Sequence, residues 1–211
     1  MSLQVKVCGI TRIEDALAAV SAGADLIGLN FWSGTPRCVS VERACEIAEA
    51  VRGRVEIVAL FVDAARQEIL ETAEAVGVRT VQLHGDLTAD RVRDLGGLRV
   101  ICGIRVGGQG DLARLPELPG YAYLLDARVE GMHGGTGRTI NWELARSATQ
   151  YGRILLAGGL GPDNVCEAVR TARPWGVDVA SGVEVSPGIK DAAKVERFVR
   201  NAREADEGTV R

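Results

Sequence analysis

The chain has 211 residues, of which 46% are hydrophobic and 25% are charged, proportions typical of a folded globular protein. These values exclude a disordered chain, a collagen-like repeat and a small scaffold stapled by disulfides. The 25 basic and 28 acidic side chains give a net charge of −3, and three Phe, three Trp and three Tyr are too few for a base-stacking platform. A nucleic-acid partner is therefore not expected.

No apolar run approaches the roughly 20 residues that a membrane-spanning helix needs, and the first ten residues lack the features of a signal peptide. The five cysteines are odd in number, scattered and without a CxxC pair, so neither a disulfide framework nor a zinc site is indicated. We therefore expect a cytoplasmic protein with reduced thiols, no metal and no membrane partner.

Short β-branched apolar runs recur along the whole chain. Segments 56–62, 99–106 and 153–159 are apolar at consecutive positions, which is typical of strands covered on both faces in a parallel sheet. In chain order, the eight predicted strands begin near Gln4, Leu26, Glu56, Thr80, Arg99, Ala122, Ile154 and Gly176.

Amphipathic helical patterns lie between these runs. Ser40 and Thr88 are predicted N-caps, Gly77 is a predicted helix stop, and Pro162 is placed in the first turn of a helix. Residues 107–119 give the weakest pattern and predict at most a short helix. The other predicted helices span 13–22, 41–51, 64–76, 88–95, 162–171 and 189–203.

Eight strand–helix units without a break in composition predict an α/β fold, a single small (β/α)8 TIM barrel with eight parallel strands. The barrel is expected to span residues 1–203, followed by a polar, frayed tail at 204–211. A doubly wound open sheet has the same local signals. Eight uniform repeats without an antiparallel edge strand favour the closed barrel.

Functional side chains of such a barrel lie at the C-terminal ends of its strands. Cys8 ends the first strand, where a thiol acts as a general base or nucleophile if its surroundings favour the thiolate; a small buried apolar residue is the alternative. Asp126 ends an apolar strand, where burial raises a carboxyl pKa as a general acid requires; a salt-bridged aspartate is the alternative. Facing each other across the barrel mouth, the two would form an acid/base pair.

Glycine clusters at 133–138, 157–162 and 180–184 predict a phosphate site, since backbone N–H groups converge on anions at such loops. Tight turns are the alternative explanation for these glycines. Arg37 is a candidate for gripping a substrate carboxylate, or else an ordinary exposed arginine. His84 and His133 are the two histidines, and without nearby carboxylate ligands they do not form a metal site.

In its motifs the chain resembles the phosphoribosylanthranilate isomerase family of tryptophan biosynthesis. The matching blocks occur in the same order over nearly the whole chain, and the KVCGIT block together with the three glycine blocks is highly specific. They are KVCGITR (6–12), TPR (35–37), VQLHG (81–85), LLDA (124–127), GGTGRT (134–139), LAGGLGPDNV (156–165), DVASGVE (178–184) and PGIKD (187–191).

The resemblance implies an Amadori rearrangement of N-(5-phosphoribosyl)anthranilate that uses no cofactor. Asp126 would be the general acid and Cys8, as the thiolate, the general base. Arg37 would hold the anthranilate carboxylate, Asp178 would hydrogen-bond polar groups of the substrate, and His84 would stay in the pocket wall. The phosphate would rest on the backbone at Gly135, Gly137, Gly158, Gly159, Ser181 and Gly182. The resemblance leaves monomer and homodimer open.

The sequence departs from the family pattern at Asn30 and Trp32, at Ile140-Asn141 and at Ala180. The first departure makes the anthranilate side of the pocket less certain than the phosphate side. A related barrel that isomerises phosphoribosyl compounds of both the histidine and tryptophan pathways is an alternative, but it relies on an aspartate where this chain has Cys8. A binding barrel without catalysis is a further alternative, disfavoured because Cys8 and Asp126 are both present.

Overall fold

A computed structural model describes residues 2–127 and 141–208. Eight parallel strands form a closed barrel in chain order, and β1 pairs with β8 to complete the ring. The predicted fold is therefore confirmed, and all eight strands begin at the predicted residues. They are β1 Gln4–Cys8, β2 Leu26–Asn30, β3 Glu56–Val62, β4 Thr80–His84, β5 Arg99–Val106, β6 Ala122–Ala127, β7 Ile154–Leu156 and β8 Gly176–Val179.

Helices on the outside of the barrel cover the strands. The side chains of the predicted caps Ser40 and Thr88 each accept a hydrogen bond from the backbone N–H of the residue three positions later. Gly77 ends its helix with a φ of 76°. The weak segment forms a 3-10 helix, Gln109–Glu117, which contains Pro116. The α-helices are α1 Ile13–Ala22, α2 Val41–Ala50, α3 Arg66–Val76, α4 Ala89–Arg93, α5 Trp142–Ala148, α6 Val165–Ala172 and α7 Ala192–Glu207.

Several predicted boundaries were wrong. Helix α5 was not predicted, although Asn141 caps it by accepting two backbone N–H groups. Pro162 precedes α6 by three residues rather than opening it, because the intervening residues form a turn. Helix α7 begins at Ala192, not Ile189, because Asp191 is its N-cap and the preceding residues pair as a strand.

The C-terminal end of the last helix also differs from the prediction. Helix α7 continues to Glu207, so the tail expected to fray from residue 204 is helical for four residues, and Ala205 is fully buried. A short hairpin precedes this helix, with β9 at Glu184–Ser186 and β10 at Ile189–Lys190, and the sequence did not predict it. The hairpin follows a 3-10 turn at Ser181–Val183, so it lies beside the end of β8.

The core is divided by the barrel wall. A large apolar cluster lies between the strands and the helices. A smaller cluster fills the inside of the barrel towards the N-terminal ends of the strands, with inward residues such as Val58, Ile101 and Leu155. Tyr121 and Trp175 pack against the smaller cluster, and the Arg153 guanidinium lies 4.5 Å from the centre of the Tyr121 ring. The end of the barrel at the N-termini of the strands is therefore packed with side chains. Within residues 2–127 and 141–208, no helix is long and apolar enough to cross a membrane.

Candidate active site

A cavity opens at the C-terminal ends of the strands. Its walls include eight residues that the sequence nominated. They are Cys8, Arg37, His84, Asp126, Gly158, Gly159, Asp178 and Ser181. Gly182 lies one residue beyond this wall, and Gly135 and Gly137 are outside the described residues.

Cys8 shares the inward face of β1 with Lys6, because alternate residues of a strand point to the same side. Lys6 is fully buried, and its Nζ lies 2.7 Å from Oδ1 of Asp178 on the neighbouring strand β8. Burial opposes the charge of Lys6, but Asp178 and Cys8 outweigh it and raise the pKa of the ammonium. Gly28 on β2 makes room for both side chains, since a Cβ there would lie 2.7 Å from the Cys8 sulfur.

The Cys8 thiol is 7% exposed, and its pKa lies above its ordinary value. Burial is the main cause, and the charge of Asp178 adds to it, whereas Lys6 and Lys190 oppose it. Burial therefore favours the neutral thiol of Cys8, while two cations are placed to stabilise the thiolate.

Asp126 is the last residue but one of β6, on the other side of the mouth, and β7 and β8 lie between β6 and β1 around the ring. Burial raises the pKa of its carboxyl to about 6, and Asp178 adds to the rise, while the Ala127 N–H and Arg105 oppose it. Gly158 lies against this carboxyl, and a Cβ there would be 2.7 Å from Oδ1 of Asp126. Asp126 is therefore protonated at a much higher pH than an exposed aspartate, as its apolar strand predicts.

The loops after β7 and β8 meet backbone to backbone beside Asp126. Gly159 and Ser181 face the cavity, and a Cβ on Gly182 would overlap the carbonyl oxygen of Leu160. Asn164 holds the first loop by donating to the Gly159 carbonyl and accepting from the Gly161 N–H. Glycine-rich loops in this position after the last two strands are the usual place for a phosphate site in such barrels.

Arg37 lines the cavity on the side of the β2 loop, and it is not an ordinary exposed arginine. Its Nε and Nη2 donate to the two carboxylate oxygens of Glu184 at 2.8 and 2.7 Å. Lys190 also donates to Glu184, and this lysine carries part of the charge around Cys8. The sequence analysis gave no role to Glu184 or Lys190, although both lie in motifs that it quoted.

His84 and Gln82 occupy alternate inward positions on β4, with 2.7 Å between the Gln82 Nε2 and the His84 Nε2. The His84 ring packs over Gly103 of β5, so it lies in the cavity wall. Asn30, Trp32 and Ala180 line the same cavity, so two of the sequence departures from the family pattern fall within the site. Within the described ranges, no three His, Cys, Asp or Glu side chains are grouped to hold a metal ion.

A half-buried carboxyl with a raised pKa, a thiol beside two cations and glycine-rich loops, all at the C-terminal rim, define an enzyme of the (β/α)8 class. The sequence matches the model of the N-(5'-phosphoribosyl)anthranilate isomerase family over residues 5–201. The family member from Geobacter sp. (strain M21) is 48% identical over 200 residues, which cover 95% of this chain and 98% of that protein. The one from Pseudomonas aeruginosa (strain LESB58) is 47% identical over 207 residues, 96% of each chain.

This chain therefore belongs to the N-(5'-phosphoribosyl)anthranilate isomerase family and is an isomerase of tryptophan biosynthesis, as the motifs indicated. The crystal structure of phosphoribosyl anthranilate isomerase from Thermotoga maritima superposes with a TM-score of 0.89 at 36% identity, over 96% of this chain and 99% of that one. A phosphoribosyl anthranilate isomerase in complex with reduced 1-(o-carboxyphenylamino)-1-deoxyribulose 5-phosphate superposes with a TM-score of 0.84 at 34% identity, with the same coverage.

Proposed function

We propose that Asp126 is the general acid and Cys8 the general base in the Amadori rearrangement of N-(5-phospho-β-D-ribosyl)anthranilate to 1-(2-carboxyphenylamino)-1-deoxy-D-ribulose 5-phosphate. The observation that carries this assignment is that a carboxyl with a pKa of about 6 and a thiol beside buried cations line one cavity from opposite sides. Both groups border the rim where the β7 and β8 loops meet.

In the first step, Asp126 donates its proton to the furanose ring oxygen. The bond from C1 to that oxygen breaks, and the nitrogen lone pair forms an iminium with C1. A carboxyl with a raised pKa is suited to this step because it keeps its proton nearer to neutral pH. The ring oxygen retains the proton as the C4 hydroxyl, and Asp126 becomes a carboxylate.

In the second step, the Cys8 thiolate removes the proton from C2, and the electrons of that bond form the double bond of an enolamine. The positive iminium raises the acidity of C2 and favours the thiolate, which adds to the effect of Lys6 and Lys190. The enolamine then gains a proton at C1 and loses its enol proton to give the ketone. Cys8 supplies the proton to C1 and Asp126 takes the enol proton, which restores the thiolate and the protonated carboxyl, so the reaction is a net isomerisation.

The substrate is proposed to be held at its two anionic ends. The phosphate would accept hydrogen bonds from the backbone N–H groups of Gly158, Gly159, Ser181 and Gly182, where the loops after β7 and β8 pack closely together. Gly135 and Gly137 remain proposed from the motif alone.

At the other end, Arg37 would bind the anthranilate carboxylate. Asp178 would hydrogen-bond polar groups of the substrate in between, while its Oδ1 stays bonded to Lys6. His84 would contribute only to the wall. We propose a small phosphoribosyl compound as the partner.

Single substitutions test the acid and base separately. Asp126→Asn and Cys8→Ser are each expected to lower kcat by at least about a hundredfold while product binding, measured by calorimetry, changes little. Cys45→Ser, on the outer helix α2, and Asp90→Asn, on α4, are controls expected to keep normal kcat. Near-normal kcat in either active-site variant would show that the acid/base assignment is wrong.

A further inference from the structure

Glu184 is held on all sides at the cavity rim. One carboxylate oxygen accepts from Arg37 Nε at 2.8 Å, Lys190 Nζ at 2.9 Å and the Gly188 N–H at 3.3 Å, and the other accepts from Arg37 Nη2 at 2.7 Å. Although burial opposes its ionisation, the two cations hold the pKa of Glu184 below its ordinary value. We call the three side chains of Arg37, Glu184 and Lys190 the rim brace.

Lys190 is a buried cation to which the proposed chemistry gives only a share in stabilising the Cys8 thiolate. Its side chain is fully buried, and its Nζ donates to Glu184 and to the Ala180 carbonyl at 3.1 Å. Ala180 immediately precedes Ser181 and Gly182 in the β8 loop. The rim brace therefore joins the loop after β2, where Arg37 lies, to the loop proposed to bind phosphate.

Burying a lysine and a glutamate is costly, and a neutral apolar pair of similar size would serve stability at least as well. The charges around the mouth suggest another reason for the pair. Among the described residues, Lys6 is matched by Asp178 and Arg12 by Asp15, each in a direct ion pair.

The rim brace differs, because its contacting charges are two positive and one negative. Without Lys190, the positive charge of Arg37 would be cancelled by Glu184 at 2.7 Å, and a substrate carboxylate would meet a neutral pair. With Lys190, the brace carries one net positive charge. Glu184 also fixes the plane of the Arg37 guanidinium, because its two carboxylate oxygens accept hydrogen bonds from Nε and Nη2 on one side of that group.

We propose that Lys190 is a positioning residue for substrate binding, which offsets the charge of Glu184 so that Arg37 is both fixed in orientation and still attractive to the anthranilate carboxylate. This inference rests on the proposed function in one respect, the carboxylate role of Arg37. It does not depend on which groups transfer protons.

A charge-compensating pair of variants tests this role. Lys190→Met is expected to raise KM for the substrate at least about tenfold, and to lower kcat by a smaller factor because it also removes one of the two cations beside Cys8. The double variant Lys190→Met/Glu184→Gln leaves Arg37 as the remaining charge of the brace and is expected to return KM to within about threefold of the wild type. A purely structural role is distinguished by inhibition with inorganic phosphate, because a displaced β8 loop would weaken phosphate binding as well as substrate binding.

Two controls separate local from general effects. Inhibition by inorganic phosphate, which has no carboxylate, is expected to stay within about twofold in every variant. Lys194→Met removes a neighbouring cation that donates only to the Glu184 main-chain carbonyl, and it is expected to leave KM unchanged.

If Lys190→Met does not fold, the double variant alone still decides the matter, because it leaves neither charge of the buried pair unpaired. A KM within about threefold of the wild type in the double variant supports the proposal, and a KM above tenfold overturns it. Where Lys190→Met folds, an unchanged KM, or a double variant with a KM no lower than that of the single variant, overturns it as well. Failure of the acid/base assignment would be seen separately, as turnover by Cys8→Ser or Asp126→Asn.

Discussion

Replacing Asp126 by asparagine should make the protein more stable at neutral pH while it impairs catalysis. The pKa of this carboxyl is raised from 3.8 to about 6, mainly because it is buried. Above pH 6 the folded protein therefore carries a carboxylate that is costlier to ionise than in the unfolded chain. At about 1.4 kcal/mol per tenfold change in proton affinity, the full cost is about 3 kcal/mol. Because Asp126 is partly exposed, screening by water reduces the expected gain to about 1–2 kcal/mol.

A carboxylate in an ion pair has a lowered pKa and stabilises the fold more as pH rises. The raised pKa of Asp126 has the opposite effect, because its ionisation destabilises the fold. As pH falls from 6 towards 4, the folded protein takes up the proton first, so wild-type Asp126 gains stability relative to the asparagine variant. The advantage of Asp126→Asn should therefore be present at about pH 7.5 and largely lost at about pH 4.5. Urea unfolding followed by circular dichroism measures the difference at both values, and other carboxylates cancel because they are common to both proteins.

Asp90 provides the comparison, since its side chain is 95% exposed. Asp90→Asn is expected to change the free energy of unfolding by less than about 0.5 kcal/mol at either pH. If Asp126→Asn were less stable than the wild type at neutral pH, or if its advantage did not fall with pH, the carboxyl would not be held in a costly ionised state. Asp126 would then lack the raised pKa that a general acid requires.

Three further outcomes follow from the site. The proposed mechanism needs Asp126 protonated and Cys8 ionised, although the pKa of Cys8 lies above that of Asp126. The value of kcat/KM should therefore rise through about pH 6, stay flat, and fall only in the alkaline range; a fall beginning near pH 7 would contradict the assignment. Arg37→Lys should raise KM at least about tenfold with little change in kcat, and an unchanged KM would remove Arg37 from the carboxylate role. Gly182→Ala should weaken inhibition by inorganic phosphate at least about tenfold, because its methyl group would separate the β7 and β8 loops; Gly96→Ala, which has space for a methyl group, should have no effect.

The barrel was predictable because each strand is a short continuous apolar run whose identity depends on local sequence. The rim hairpin at 184–190 was not, because what holds it lies far away in the chain. The Gly188 carbonyl accepts from Thr11, and the Lys190 N–H donates to Asp15. Such contacts are visible only after folding, so the segment was assigned partly to the following helix.

The same contrast applies to the site. Cys8 and Asp126 could be nominated by position, because the rim of a parallel barrel is set by where its strands end. Lys6 could also have been recognised, since it is two residues from Cys8 on one strand face. The rise in the Cys8 pKa could not, because it depends on burial and on charges from β8 and the hairpin, and a sequence gives no distances between them.

The ion pair between Lys6 and Asp178 joins residues 172 positions apart, at the seam where the first strand meets the last. On the ribosome, Cys8 emerges early, but the strand that buries it and supplies its charged neighbours is made near the end of synthesis. A nascent chain shorter than this closing strand therefore presents Cys8 without its burial or its Asp178 and Lys190 neighbours. The surroundings of Cys8 are therefore complete only when the polypeptide is complete. C-terminal truncation before residue 178 should leave an inactive chain with an oxidisable Cys8 rather than a smaller enzyme.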